Sequence, residues 1–318
     1  MEVKNRAEDI RVVKDIKSIE SATRDITTHV TFGVFDGVHL GHQALIKRTV
    51  SSARKSGSTP AVFTFCNHPL KVLAPPYAPP RLSLDDARVE QFASLGIRLA
   101  IMLPFNPKLA CLSPEKFARD FIAARLKARH LVCGYNFRFG KGGAGDLSLL
   151  KTLGEELGFS VEEVPPVKVR DVIVSSTKIR EFLTQGLVHL ASEFLGRPSS
   201  LQGRVIKGTG RGKTLDYPTA NLEPHADLLI PASGVYAVRA QLESQAIPGM
   251  INIGFNPTFS QRRLSIEVHL FDFGADLVGK TIEVRFIKRM RNERKFKTRK
   301  DLANQLKKDE QTARRILK

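Results

Sequence analysis

Two stretches in opposite halves of the chain combine residue types suited to handling phosphates. The first is Gly33-Val-Phe35-Asp36-Gly-Val-His39-Leu-Gly41-His42. The second is Gly208-Thr-Gly210-Arg211-Gly212-Lys-Thr-Leu-Asp216-Tyr-Pro218-Thr219-Ala-Asn221. In the first, an apolar run ends in a tight glycine turn and a helix begins near Gly41-His42. Amides at a helix start are unpaired and point outward, and the helix dipole favours an anion there. His39 and His42 flank that turn, so both imidazoles can reach one triphosphate and donate to its oxygens in either charge state. Downstream, Val174-Ser175-Ser176-Thr177-Lys-Ile-Arg180 repeats the design, with hydroxyls and amides at a helix start and a cation one turn on. Ser175-Ser176 also fits a plain N-cap.

In the second stretch Gly208, Gly210 and Gly212 around Arg211 can expose successive amides to phosphate oxygens as an anion nest. Pro218-Thr219-Ala-Asn221 then offers a hydroxyl and an amide carbonyl, hard oxygen ligands for Mg²⁺. The Gly-Lys-Ser/Thr ending of a Walker loop is absent. A base for a hydroxyl nucleophile is available on Leu264-Ser-Ile-Glu267-Val-His-Leu270, which alternates strictly. Period two puts Ser265, Glu267 and His269 on the face opposite the apolar residues. Glu267 is then a carboxylate on a rigid element, able to take a proton from an attacking hydroxyl. Alternation alone equally describes a solvated outer-face glutamate.

The elements that must position these groups differ between the halves. His29–Phe35, Ala61–Phe65, Leu99–Leu103, Leu131–Cys133 and Phe159–Val164 read as strands. Helices alternate with them over His42–Arg54, Leu84–Leu95, Ser113 to about Lys127, and Asp146 to Leu157. That alternation predicts a parallel sheet covered by helices. After helices at Thr177–Gln185 and Val188–Leu195, short strands follow one another from Gly203, until a final helix near Asp301–Lys308. The second half is therefore read as mostly antiparallel β, a barrel, with the domain boundary between 187 and 188, close to Gly196-Arg-Pro198.

At 318 residues the chain is long enough for two domains, each with a core. Apolar content of 42% and charged content of 26% are those of an ordinary globular protein. No apolar run approaches the roughly 20 residues of a membrane span, and residues 1–10 lack the apolar stretch of a secretory signal. Cys66, Cys111 and Cys133 are odd in number and lack metal-type spacing. A cytoplasmic protein without a membrane partner is expected. The net charge is +18, and from Arg285 to Lys318 there are 14 Lys or Arg against four Asp or Glu. With no aromatic-and-basic stacking pattern interleaved there, this basic end is read as a field that attracts polyphosphate substrates, not as a specific nucleic-acid surface.

The motifs resemble, in order and over nearly the whole chain, the bacterial bifunctional riboflavin kinase/FAD synthetase family. In the first half the resemblance rests on Gly33 to His42, Gly134-Tyr-Asn136-Phe137-Arg138-Phe139-Gly140, and Ser175 to Arg180. It implies a Rossmann-like nucleotidyltransferase that adenylates FMN with ATP. Gly33, Phe35, Asp36, Gly41, Ser175, Ser176, Thr177 and Arg180 would line the ATP site with His39 and His42, and Asn136 and Phe137 would meet the flavin. In the second half it rests on Gly210-Arg-Gly212, Pro218-Thr-Ala-Asn-Leu222, Gly234-Val-Tyr236, Asn252-Ile-Gly254, Asn256-Pro-Thr-Phe259 and Glu267 to Phe273. It implies a six-stranded antiparallel barrel that phosphorylates riboflavin. Glu267 would be the base, Thr219 and Asn221 would hold Mg²⁺–ATP beside Gly208, Gly210, Arg211 and Gly212, and Arg291 would lie near the flavin.

Two positions depart from the family pattern. Cys66 stands where an acidic residue is common, and is read as a small core residue beside the polar Asn67 and His68. Asp216 stands where a glycine is common, at a position where aspartate tolerates turn geometry. These departures motivate an alternative, a flavin-binding regulator with decayed catalysis. A nucleotidyltransferase whose barrel binds nucleic acid is a third reading. Oligomeric state is open.

Overall fold

The computed structural model describes residues 10–208, 217–242, 245–257 and 262–318. The chain falls into two compact units, Met1–Val174 and Ser175–Lys318. The 187/188 boundary read from the sequence falls within the second unit, between two of its helices.

The first unit is built on strands β1 (Arg11–Val13), β2 (Thr28–Phe32), β3 (Thr59–Phe65), β4 (Leu99–Leu103), β5 (Ala128–Gly134) and β6 (Ser160–Val164). They form one parallel sheet in the order β1-β4-β3-β2-β5-β6. The sheet divides two cores, as alternation along the strands requires. Phe32, Ala61, Phe63, Leu99 and Ile101 join one, with Phe121 and Leu150 from covering helices. Val62, Ala100 and Met102 join the other, with Phe35, Ile46, Val50 and Phe92. Every residue of β2 and of β4 is buried, the signature of a central parallel strand. The chain runs from β2 outward through β3 to β4, then crosses back to β5 on the other side of β2. The crevice beyond the ends of β2 and β5 is therefore a topological switch point, where open α/β sheets bind ligands.

Some elements differ from their sequence reading. β2 ends at Phe32, because Phe35 (φ 52°), Gly37 (φ 80°) and Val38 (φ 40°) coil the chain into a turn. The single helix expected from Ser113 is a short turn, Pro114–Lys116, followed by the π-wound segment Phe117–Arg125. There the Leu126 N–H reaches back to the Phe121 carbonyl (2.8 Å), and Phe117 and Phe121 stack on each other with their edges to Phe63. A small hairpin, β7 (Lys168–Val169) with β8 (Val172–Ile173), had no apolar pattern to announce it.

The second unit opens with helices Ser176–Thr184 and Val188–Leu195. Strands β9 (Ser200–Ile206), β10 (Ala220–Pro224), β11 (Gly234–Leu242), β12 (Gln245–Pro257), β13 (Arg262–Leu270) and β14 (Thr281–Arg291) follow. They close into an antiparallel barrel in the order β10-β13-β12-β11-β14-β9. Its inward residues are apolar and buried: Val205, Leu222, Tyr236, Val238, Ile251, Ile253, Ile266, Val268, Val284 and Phe286. The terminal helix, Arg299–Leu317, is longer than its sequence reading. It lays Ala313 and Leu317 against Ala237, Met250 and Phe271. Among the described residues no helix is long and apolar enough to cross a membrane.

Candidate functional site

At the switch point of the sheet, the helix Leu40–Ser56 starts at the end of the turn after β2, with His39 as its N-cap. His39 Nδ1 accepts the His42 N–H (3.3 Å), which fixes the His39 tautomer with its proton on Nε2, the donor form. A side chain at Gly41 would press on the His39 ring (3.2 Å), so glycine there lets the ring fold back. The two imidazoles stack, 3.6 Å between centroids. His42 Nδ1 is buried and has no hydrogen-bond partner among the described residues. Burial first, then the neighbouring His39 and Arg88, hold the His42 pKa well below the usual imidazole value, so His42 is neutral at pH 7.

The turn is held from beneath. Phe35 is fully buried, its ring edge-on to His42 (5.1 Å) and Phe92 (5.6 Å), so its side chain supports the His42 ring. The buried Asp36 carboxylate accepts the N–H groups of Leu82 (2.9 Å) and Ser83 (3.2 Å), while Gly37 N donates to Ser83 Oγ (3.0 Å). Asp36 thereby ties the turn to the loop at Leu82-Ser83. Arg88, only 2% exposed, donates to the carbonyls of Val34 (2.8 Å) and Phe65 (2.7 Å), to Thr64 Oγ1 and to Asp85. One guanidinium thus joins the ends of β2 and β3. Phe35 and Val38 keep left-handed backbone angles that side chains resist, and such conformations persist only where surroundings over-determine them.

Cys66, at the end of β3, is half-buried; its thiol donates to the Met102 carbonyl (2.8 Å). Burial, then Asp85, push its pKa up, so it is a thiol and not a carboxylate mimic. Asn67 is committed to the chain after β4, its amide bonded to both Phe105 N (2.7 Å) and Phe105 O (3.0 Å). His68 Nδ1 accepts the Leu70 N–H (3.2 Å). Beyond β5, on the other side of the switch point, Asn136 is exposed. Phe137 lies parallel to Phe139 at 5.7 Å and packs on Phe32. Gly33 follows β2, where its N–H donates to the Phe63 carbonyl (3.2 Å).

In the second unit Ser175 is the N-cap of the helix Ser176–Thr184, accepting the Lys178 N–H (3.2 Å). Ser176, Thr177 and Arg180 lie on its first turns.

On the barrel, the outward face of β13 carries Ser265, Glu267 and His269, as alternation requires, while Ile266, Val268 and Leu270 are buried. Glu267 pairs in register with Asn221 on β10 and with Asn252 on β12, so an amide stands on each side of the carboxylate. Ser265 Oγ donates to Glu267 Oε1 (3.1 Å). His269 Nδ1 donates to the Pro218 carbonyl (2.8 Å), pinning the chain just before Thr219. Gly208 lies so near Asn221 that a Cβ there would sit 1.8 Å from the amide nitrogen. Gly210, Arg211, Gly212 and Asp216 lie outside the described residues.

Arg291, at the end of β14, grips the buried Asp309 of the terminal helix, with Nε at 3.0 Å and Nη2 at 2.7 Å from its two oxygens, and Gln305 also donates to Asp309. Its remaining Nη1 donates to the Asn292 carbonyl. Sequence reasoning missed Arg88, Ser83 and Asp309, and it placed His269 on the outward face without a role. Each acts through main-chain atoms or a partner far along the chain, and neither leaves a local motif.

Comparison with known proteins accounts for both halves. A family model described as FAD synthetase matches residues 21–178, and one described as riboflavin kinase matches 195–317. A Bacillus subtilis bifunctional riboflavin kinase/FMN adenylyltransferase is 39% identical over 291 residues, 89% of this chain and 90% of its own. The Escherichia coli K12 protein of the same name is 35% identical over 306 residues, 96% and 97% of the two chains. A crystal structure from Streptococcus pneumoniae, described as a macrolide-efflux protein, superposes with a TM-score of 0.86 at 32% identity, over 96% of this chain and 99% of that one. The chain belongs to the bifunctional riboflavin kinase/FMN adenylyltransferase family.

Proposed function

We propose that this enzyme makes FAD from riboflavin in two ATP-dependent steps, with phosphorylation on the barrel and adenylyl transfer at the parallel sheet. The observation that carries the reading is the row Asn221–Glu267 across β10 and β13, a carboxylate beside an amide on rigid strands. We assign adenylyl transfer to residues 1–187 and the kinase to 188–318, a division supported by family matches that end at 178 and begin at 195.

In the kinase step Glu267 takes the proton of the ribityl 5′-hydroxyl as its oxygen bonds to the γ-phosphorus of ATP and ADP leaves. Ser265 holds one carboxylate oxygen and so fixes the side chain. The Thr219 hydroxyl and the Asn221 carbonyl are hard oxygen donors that suit Mg²⁺, and the close approach of Gly208 brings main chain to that amide. When bound, Mg²⁺ supplies charge neutralisation on the phosphates. Gly208, Gly210, Arg211 and Gly212 offer amides to the same phosphates.

In the adenylyl step an oxygen of the FMN phosphate attacks the α-phosphorus of ATP and pyrophosphate leaves. No covalent enzyme intermediate is required, so positioning and charge neutralisation carry the rate. His39 and His42 donate to ATP oxygens, with Gly33, Gly41 and the turn amides beside them. Phe35 and Asp36 act through the shape of the turn. Ser175, Ser176, Thr177 and Arg180 bind ATP phosphates; Asn136 and Phe137 meet the flavin. Arg291 serves the flavin side of the barrel through its hold on Asp309. Free ATP as co-substrate of both steps supports a cytoplasmic location.

The test is a chromatographic time course of the full chain with riboflavin, ATP and Mg²⁺. Successive FMN and FAD are expected. Flavin binding without turnover overturns the reading in favour of a regulator.

A further inference from the structure

The row that contains Glu267 has two sides, and they are not equivalent. On one side Asn221 packs closely against Gly208, where there is no room for a Cβ. That side also carries Thr219, one residue before β10. On the other side stands Asn252 of β12, in register with Glu267 and with Val235 of β11. Its neighbours Ile251 and Ile253 are fully buried, so the Asn252 side chain shares the outer face with Glu267. Directly paired residues on adjacent strands hold their β-carbons about 4.5–5.5 Å apart. Among the described residues no hydrogen bond engages the Asn252 amide.

We infer that Asn252 binds the ribityl chain of the flavin and so delivers its 5′-hydroxyl to Glu267 from the side opposite the nucleotide. This rests on the assignment of Glu267 as the kinase base and of the Asn221 side to ATP. An in-line transfer needs acceptor and phosphoryl donor on opposite sides of the reacting centre. With Gly208, Thr219 and Asn221 on one side of the carboxylate, the acceptor approaches over Asn252. An amide suits that acceptor: its NH₂ donates and its carbonyl accepts, while each secondary hydroxyl of a ribityl chain does both. Ser265 occupies Oε1 of Glu267, which directs Oε2 to the incoming proton. Asn252 is thus a substrate-positioning residue that determines preference for a polyhydroxylated acceptor.

The experiment compares wild type, Asn252→Ala and Asn252→Ser as full chains, with two acceptors. One is riboflavin; the other carries a 5-hydroxypentyl chain that keeps the reacting hydroxyl and lacks the three secondary ones. Asn252→Ala is expected to raise KM for riboflavin roughly tenfold, the scale of one lost substrate hydrogen-bonding group, with KM for ATP within about twofold. With the hydroxypentyl flavin the same substitution is expected to change little. Asn252→Ser, which keeps a donor and acceptor, should recover part of the loss. Retained riboflavin-kinase kcat and KM for ATP, together with the thermal unfolding curve, report folding of the barrel in each variant. Equal losses with both acceptors, a parallel rise in KM for ATP, or unchanged kinetics with riboflavin would overturn the inference. Glu267→Gln is run beside them: if it retains FMN formation, the assignment of the base fails, whereas an inactive Glu267→Gln with an indifferent Asn252→Ala sinks only the role of Asn252. Should Asn252→Ala fail to fold, the acceptor comparison on Asn252→Ser decides.

Discussion

The imidazoles of His39 and His42 lie face to face, 3.6 Å between centroids and 15° from parallel. Two rings this close cannot both be charged cheaply, and burial, then His39 and Arg88, keep His42 neutral. His42 therefore meets a polyanion as a neutral ring and not as a fixed cation. Positive charge at this turn comes from the helix dipole and from Arg88 beneath it.

A pH dependence of stability follows. His42 is held below its ordinary 6.5 in the folded state by burial, then by His39 and Arg88. The unfolded chain thus binds more protons in the window from 6.5 down to the folded value, and stability falls as pH drops through it. His29 acts in the same direction, through burial and then His130. Denaturant midpoints measured between about pH 5 and about pH 7 should rise with pH in the wild type. The slope should be shallower in His42→Asn.

Glu267→Gln should abolish FMN formation, by about 10²–10⁴-fold as for loss of a positioned base. FAD formation from supplied FMN should continue at the wild-type rate. Parallel loss of both activities would contradict separate sites.

Gly208→Ala tests the close approach to Asn221. The new methyl must displace an amide whose nitrogen lies 1.8 Å from its position. A loss on the order of 10²-fold in riboflavin phosphorylation is expected, as for a misplacement of about 1 Å. The melting curve should barely move, because residue 208 follows β9 and is not part of the core.

Cys66→Asp should destabilise the first unit by about 1–3 kcal/mol, because a carboxylate would face the Met102 carbonyl that the thiol now serves as donor. Cys66→Ser keeps a donor and should be nearly neutral. Both are read by denaturant unfolding. In thiol labelling followed by mass spectrometry, exposed Cys111 should react first, and buried Cys133, its pKa pushed up to about 12, last.

Arg291→Leu would strand the buried Asp309 carboxylate, at a cost of about 3–5 kcal/mol. Arg291→Leu with Asp309→Leu should recover most of that stability. Thermal unfolding of the three chains measures it, and KM for riboflavin in the double variant separates a direct flavin contact from this structural role.

Much of this molecule was legible in the sequence because its chemistry sits at the ends of regular elements. Apolar runs revealed β3, β4 and β5, and strict alternation placed Glu267 on the outward face of β13. The His39–His42 turn was recognisable because a helix start after a buried strand leaves a glycine and histidine pattern. What escaped was set by distant pairing. Nothing near Arg291 announces Asp309, and nothing near Asp36 announces the Leu82 and Ser83 amides. The end of β2 was placed too late because Phe35 looks like a strand residue by type, and only the coiled backbone of the turn shows otherwise. The barrel's register, which puts Asn221 and Asn252 beside Glu267, depends on strand order and so is invisible to any local pattern.

The way each sheet ends has a bearing on how the chain behaves at high concentration. The barrel closes β9 onto β10 and so leaves no open edge, which removes the template for pairing with another chain. The open sheet has two edges, and both are poor templates: β1 is three residues long, and β6 carries Glu162 and Glu163 within Ser160–Val164. Strand addition is therefore disfavoured at the barrel and at both edges of the six-stranded sheet.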